Sequence, residues 1–207
     1  MSRAVFANSV TLTIVFGLML LVLVIPSRAA APDLGRTAFV PEGPQTSIPV
    51  GAGAFCARHE ADCRPGGHSG PIRLDAGTYV TIEAVNTAVN RRIVPITDQR
   101  LYHVAEFWTY PATAGDCEDI ALEKRRELIA LGFSPSVLLM TVARDQRGEG
   151  HAILMVRTDR GDLVLDNQDP RVRLWTETPY RYLKRQSELN PGLWVRLIDN
   201  RNMLSTN

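Results

Sequence analysis

The chain has little net charge, few cysteines and only one long apolar run. Its 207 residues carry 23 Lys or Arg against 22 Asp or Glu, which gives a formal net charge of +1. A near-neutral chain lacks the basic footprint that nucleic acid selects, so we expect no nucleic-acid partner. No repeat or low-complexity block is visible, and nothing resembles a cell-wall-binding repeat. The length fits a single domain with its own core once an N-terminal segment is removed.

The one long apolar run lies near the N-terminus. It extends from Val10 to Ile25, follows the basic residue Arg3 and precedes the small residues Ala29 to Ala31. This order is typical of a secretory signal peptide and predicts that residues 1–31 are removed on export to the periplasm or the medium. The run is shorter than the roughly 20 residues that a spanning helix needs, and a retained membrane anchor is the alternative.

About 176 residues, 32–207, remain after that cleavage, and loss of Arg3 and Arg28 changes the net charge from +1 to −1. Residues 32–50 are rich in Pro and Gly without periodicity, which predicts a poorly ordered lead-in. Apolar residues at helical spacing then predict a helix over 72–89 that ends near Asn90, with Asp75 as its cap.

Only three cysteines occur, which leaves one unpaired if a single disulfide forms. Oxidation outside the cytoplasm favours a bond between Cys56 and Cys63, because these two close a short loop. The alternative is a zinc site in which His59 and His68 join the same two cysteines. In the disulfide case Cys117 is the free thiol.

Cys117 lies in the motif Gly115-Asp116-Cys117-Glu118-Asp119, at the head of a helical pattern. Apolar residues recur after it at steps of one, three or four up to Leu131, and Gly132 supplies a stop signal. The positive end of a helix dipole and a nearby imidazole both lower the pKa of a thiol and make it a better nucleophile. The position therefore suits a catalytic cysteine.

Three apolar runs follow, at 137–142, 151–156 and 162–165, and predict antiparallel strands. The last two flank Thr158-Asp159-Arg160-Gly161, which has good turn chemistry. If Asp159 and Arg160 form the centre of the turn, position 151 pairs with position 168. His151 and Asp166 are then diagonal neighbours on one face, close enough for a hydrogen bond.

This order predicts an acyl-transfer site. Cys117 would attack a carbonyl carbon, His151 would move the proton, and Asp166 would hold the imidazole tautomer. The backbone N–H of Cys117 is one oxyanion donor, with Trp108 or Asn86 as candidates for a second. Each residue has a plainer interpretation, since a cysteine on a helix stripe or a histidine at a strand start is commonly structural. Their joint order favours catalysis.

These motifs and their order resemble those of the bacterial transglutaminase-like cysteine proteinases, a family that includes the LapG-type periplasmic proteases. The matching residues extend from Ile82 to Leu197 and include Val85-Asn86, Val89-Asn90, Asp98, Trp108, Pro111, Gly115-Asp116-Cys117-Glu118-Asp119, Lys124, Leu128, Gly132, Gly150-His151 and Val164-Leu165-Asp166-Asn167. The resemblance implies a papain-like or transglutaminase-like α+β fold, with the cysteine-bearing helix packed on an antiparallel sheet. It also implies a Cys117-His151-Asp166 triad, a protein substrate such as a cell-surface protein, and a membrane receptor as regulator.

The resemblance further implies calcium bound beside the nucleophile through Asp116 and Glu118. The residues themselves give a second reason for a cation there. Like charges 4 Å apart repel by about 4 kcal/mol at an effective dielectric of 20, and a cation would relieve the crowding of acids around a thiolate. The alternative is that these acids only complement the helix dipole.

Other functions fit parts of the pattern. A transglutaminase would use the same triad to pass the acyl group to an amine, and a cell-wall peptide amidase would share the compartment and nucleophile. The non-enzyme alternative is a binding module with an idle triad. The expectation that follows best is an exported cysteine peptidase that acts through a thioacyl intermediate.

Overall fold

The computed structural model describes residues 39–201. Within these residues no helix is both long and apolar enough to cross a membrane. The predicted signal peptide, residues 1–31, lies outside the described part of the chain.

The described chain combines helices with a seven-stranded antiparallel sheet. The helices are α1 (Val50–Arg58), α2 (Glu60–Cys63), α3 (Ala76–Arg92), α4 (Asp98–Leu101) and α5 (Cys117–Ala130). The strands are β1 (Glu42–Thr46), β2 (Val94–Pro95), β3 (Ala114–Gly115), β4 (Leu138–Arg144), β5 (Gly150–Thr158), β6 (Gly161–Leu165), β7 (Arg173–Leu174), β8 (Arg181–Gln186) and β9 (Trp194–Leu197). The large sheet has the order β1-β9-β8-β4-β5-β6-β7, and β2 pairs separately with β3 in parallel. The α+β class predicted from the sequence is confirmed.

The lead-in predicted over residues 32–50 contains regular structure in its described part, residues 39–50. Residues 32–38 lie outside the described part of the chain, and Glu42–Thr46 form β1, which pairs antiparallel with β9. Val40 is buried, and its N–H donates to the Asp162 carboxylate at 2.9 Å. The proline and glycine content of this segment did not predict a strand. An edge strand tolerates both residues, because the backbone groups on one of its sides need no partner strand.

The helix predicted over 72–89 is α3, which starts four residues later than predicted and ends three residues later, at Arg92. Asp75 is its N-cap, as predicted, and its side chain accepts the Thr78 N–H at 2.9 Å. Ile72 instead forms a β-bridge with Thr158. The predicted turn after β5 also forms, with Thr158 opposite Gly161. Gly161 has a φ of 133°, which L side chains rarely adopt.

Two apolar clusters cover the two faces of the sheet. The larger lies between the sheet and the helices and includes Ile82, Ile120, Leu154 and Trp194. The smaller includes Ile153, Met155 and Tyr182. Residues in the two clusters alternate along β5, which is the period-two pattern of a strand buried on both faces. The sheet is therefore the centre of the molecule, and α5 packs against β5 and β4.

Cys56 and Cys63 form the predicted disulfide, with their Cα atoms 5.5 Å apart. The bond joins α1 to α2 and uses both thiols, so the alternative of a zinc site with His59 and His68 is wrong. Phe55, next to Cys56, stacks on His59 with ring centroids 4.5 Å apart. Cys117 is the free cysteine of the described chain.

Candidate active site

Cys117 is the first residue of α5, with Asp116 at the N-cap position. Its Sγ lies 3.3 Å from the backbone nitrogen of Ala152, whose N–H points at the sulfur, and 3.1 Å from Glu118 Oε2. Ala152 follows His151 in β5, so the packing of α5 on the sheet brings the thiol beside the strand that carries the histidine. Backbone N–H groups in the first turn of a helix have no partner inside it and are available to an anion.

His151 and Asp166 lie together, as the hairpin register predicted. The imidazole Nε2 is 2.8 Å from Asp166 Oδ1, and both side chains are almost fully buried. The register places Leu154 opposite Leu165, so the ladder extrapolates to position 151 opposite position 168. Asp166 also accepts the Gln168 N–H at 3.0 Å and the Tyr180 hydroxyl.

These contacts act on the ionisation of Asp166. Hydrogen bonds from His151, Tyr180 and Gln168 outweigh the effect of burial and hold the pKa of Asp166 below its ordinary value. The carboxylate is therefore ionised at neutral pH and accepts a hydrogen bond from Nε2–H. Nδ1 is left with the lone pair and can act as the base, and it lies 3.4 Å from the exposed Gln168 amide nitrogen.

Three carboxylates converge beside the thiol. Asp98, Asp116 and Glu118 each offer an oxygen within 4.8 Å of the others. Asp98 and Glu118 are buried, and Asp98 Oδ1 and Asp116 Oδ1 have no hydrogen-bond partner in the described structure. Asp116 Oδ2 accepts the backbone N–H of Asp98 at 3.1 Å, which ties α4 to the head of α5. Buried carboxylate oxygens without donors are the ligands that a hard cation prefers.

The electrostatics of this cluster oppose a thiolate. Burial, with the neighbouring Asp116, raises the pKa of Glu118 to about 9. Burial raises the pKa of Asp119 to about 8, although it accepts the Thr109 N–H at 2.7 Å. Burial and the charge on Glu118 raise the pKa of the Cys117 thiol well above its usual value. A positive charge at the carboxylates would reverse the sign of these effects.

Sequence reasoning missed two of the residues in this arrangement. Asp98 was matched to the family pattern but was not assigned to the metal site, and Tyr180 was not singled out. The sequence signal for Asp98 was weak because 18 positions separate it from Asp116. The two candidates for a second oxyanion donor already have acceptors, since Trp108 Nε1 donates to Glu106 and Asn86 Nδ2 donates to the Pro170 carbonyl at 2.9 Å.

Comparisons with known proteins identify the family and the fold of the chain. A profile of the family described as bacterial transglutaminase-like cysteine proteinase matches residues 42–202. The calcium-bound structure of LapG from Legionella pneumophila aligns with a TM-score of 0.50 and 23% identity, over 57% of this chain and 68% of LapG. The EGTA-treated structure of LapG aligns with a TM-score of 0.49 and 22% identity, over 60% of this chain and 73% of LapG. The comparison with curated proteins returned no match.

Proposed function

Since the chain belongs to the bacterial transglutaminase-like cysteine proteinases and is therefore a cysteine peptidase, we propose that Cys117, His151 and Asp166 hydrolyse a peptide bond of a protein substrate. The observation that carries the assignment is the buried 2.8 Å contact between His151 and Asp166. Ala152, the residue after His151, contacts the Cys117 sulfur through its backbone N–H. His151 contacts Asp166, and the Cys117 sulfur contacts the residue that follows His151, which supports the proposal that these three groups act together.

The steps follow from the atoms in place. His151 Nδ1 takes the thiol proton, and Cys117 Sγ attacks the carbonyl carbon of the scissile bond. The C–N bond breaks, the amine leaves with the proton from His151, and a thioester remains on Cys117. Water then attacks the thioester with His151 as base, which releases the acid and restores the thiol. The N–H of Cys117 stabilises the oxyanion in both halves.

The test is labelling of Cys117 by iodoacetamide, together with hydrolysis of casein. Cys117→Ala should abolish both signals, and His151→Ala should slow labelling and stop hydrolysis without lowering the melting temperature. Casein turnover with and without a primary amine separates hydrolysis from acyl transfer, since a transglutaminase would incorporate the amine. Wild-type turnover by Cys117→Ala would refute the assignment. A protein that labels slowly and cleaves nothing would be a binding module with an idle triad.

We also propose that calcium binds the oxygens of Asp98, Asp116 and Glu118, as the calcium-bound state of LapG suggests. The unpartnered oxygens of Asp98 and Asp116 fit a hard cation better than they fit a purely structural role. Bound calcium would supply positive charge that favours ionised carboxylates and a thiolate. Asp116 and Glu118, at the start of α5, and Asp98, at the start of α4, would be the ligands of the calcium ion.

Calcium binding is testable without activity. Millimolar calcium should raise the melting temperature of the wild type, since a ligand at 100 times its Kd contributes about 2.7 kcal/mol. Asp98→Asn should remove that shift, while Glu83→Gln, which alters an exposed acid of α3, should retain it. Equal shifts in all three proteins would mean that calcium acts elsewhere. No shift in the wild type would leave these acids as helix-start residues.

The place of action is part of the same proposal. We propose that residues 1–31 direct export and are removed, that the substrate is a cell-surface protein and that a membrane receptor regulates the enzyme. The Cys56–Cys63 disulfide supports an oxidising compartment. Mass spectrometry of the exported protein should give an N-terminus near residue 32. An intact Met1 in a membrane fraction would support a retained anchor instead.

A further inference from the structure

A groove with basic walls runs along the ends of β8 and β9. It has a volume of about 520 Å³, and Arg181, Lys184 and Arg196 contribute to its lining. Arg181 and Arg196 are exposed and Lys184 is half-buried. Asp199 also lines the groove, but its carboxylate is held by Arg201 at 2.7 and 2.8 Å. The groove therefore presents positive charge to a ligand.

The strand register places like charges opposite one another at this groove. Lys184 pairs with Arg196, and Arg181 pairs with Arg144 on β4. Like charges directly opposite each other destabilise an antiparallel pair of strands. Within residues 39–201 none of these four side chains forms an ion pair; Lys184 donates to the Ser47 carbonyl and Arg144 to the Gly148 carbonyl. The side chains of Arg181 and Arg196 make no hydrogen bond or ion pair within the described residues, so their charges are available to a ligand.

A continuous row of paired residues connects the groove to the nucleophile. Ala152, whose N–H points at the Cys117 sulfur, pairs with Val142, and Val142 pairs with Lys184. Lys184 in turn pairs with Arg196. Directly paired residues project from the same face of a sheet. Val142 and Cys117 both pack against the larger apolar cluster, so the basic side chains share the face on which the thiol lies.

Strand spacing converts this row into a distance. Adjacent strands lie about 4.8 Å apart, so Lys184 is about 10 Å and Arg196 about 14 Å from Ala152 along the row. An extended peptide advances about 3.3 Å per residue, so a chain cleaved at Cys117 reaches the groove with its third or fourth residue from the scissile bond. We propose that the groove is a substrate subsite that selects acidic side chains, Asp or Glu, at that distance on one side of the cleaved bond.

Arginine suits this task because its planar guanidinium binds a carboxylate through two parallel hydrogen bonds. The side chains of Arg181 and Arg196 donate to no group in the described chain, so an incoming carboxylate displaces nothing. Exposed charge pairs weaken with ionic strength, so acidic selectivity decreases as salt rises. The inference rests on the proposed peptidase function and adds the class of sequence that it cleaves.

The test compares two matched double variants with the wild type. Arg181→Gln with Arg196→Gln removes two groove charges, and Arg91→Gln with Arg160→Gln removes two exposed charges outside the groove lining. Each protein digests a proteome-derived peptide library, and mass spectrometry identifies the cleaved bonds. The wild type and the control should enrich Asp or Glu three or four residues from the bond. The groove variant should lose that enrichment and about tenfold in kcat/KM on an acidic peptide, but not on its Gln counterpart.

A binding measurement separates failure of the groove from failure of the peptidase. Cys117→Ala protein is titrated with a fluorescein-labelled Glu-rich peptide and with its Gln counterpart, in the two double-variant backgrounds. If the protein binds the Glu peptide preferentially and only the groove variant loses this preference, the subsite is supported even when the library is not cleaved. An uncleaved library then counts against the peptidase function. Cleavage without acidic enrichment, or equal losses in both double variants, overturns the subsite. Binding to phosphatidylserine vesicles but not to the peptide also overturns it, in favour of a membrane-facing surface.

Discussion

Replacing Asp166 with asparagine should remove most of the activity and leave the fold intact. The carboxylate accepts from His151 at 2.8 Å and faces the imidazolium that forms during catalysis. Two unit charges about 4 Å apart attract by about 4 kcal/mol at an effective dielectric of 20. Loss of that attraction corresponds to about 10³ in rate. An amide that donates to Nε2 would also hold the proton on Nδ1, the nitrogen needed as base, which extends the loss to about 10⁴.

Tyr180→Phe is the matched control for this experiment. It removes the hydroxyl that donates to Asp166 Oδ2 but retains the charge and the ring, which lies 5.2 Å from the imidazole. A hydrogen bond to a charged group contributes about 1.5 to 3 kcal/mol, and only part of it is lost in the transition state, so the rate should drop by about tenfold. Casein hydrolysis measures the rate, and thermal melting checks the fold.

The contribution of ionised Asp166 to stability depends on pH in a definite direction. The pKa of Asp166 is lowered in the folded protein, so its ionised form stabilises the fold above the ordinary value near 4. That contribution is lost as the pH drops through the folded value. The difference in melting temperature between wild type and Asp166→Asn should therefore shrink below about pH 4. An Asp166→Asn enzyme within tenfold of wild-type turnover at neutral pH would refute the triad.

Three further perturbations have definite expected outcomes. Reduction of the Cys56–Cys63 bond, which closes a loop with a sequence separation of 7, should destabilise the protein by about 2.5 kcal/mol in the chain-entropy model; an unchanged denaturation midpoint with dithiothreitol would contradict this. Gly115→Ala should lower both the melting temperature and the rate of thiol labelling, because the added Cβ would lie 2.7 Å from Asp119. Gly148 has no neighbour within 4 Å but a φ of 79°, so Gly148→Ala should lower the melting temperature and leave labelling unchanged. Arg185→Met should destabilise the protein by about 3 to 5 kcal/mol, because the buried Asp162 carboxylate loses one of its cationic partners. Urea denaturation should show a larger loss of stability for Arg185→Met than for the control Arg181→Met.

The hairpin at the site was predictable because it depends on local rules. A four-residue turn and the period of two fix which side chains of β5 and β6 share a face, so His151 and Asp166 follow from the sequence alone. The helix start at Cys117 was equally readable from spacing and from the stop at Gly132. Both signals lie within about 15 residues, the range over which periodicity is informative.

The remaining parts of the site depend on contacts between distant segments. Asp98 reaches Asp116 only because the short α4 folds back on the head of α5. Tyr180 follows an irregular segment whose path has no periodic signal. The basic groove depends on the register of β8 against β4, which shifts between Val142 and Ala143. A shift of one residue would send the same lysine and arginines to the opposite face, so composition could not reveal them.

The pairing of β1 with β9 has a consequence for the order of assembly. Glu42 pairs with Leu197, 155 positions later, so β1 has no paired strand until β9 has been synthesised. At 5 to 20 residues per second, synthesis of the intervening chain takes about 8 to 30 seconds. During that interval β1 is an unmatched edge, and Glu42 has not yet met Arg185. The sheet can close only after both ends of the domain have been made, so the enzyme matures as a whole chain and not progressively from its N-terminus.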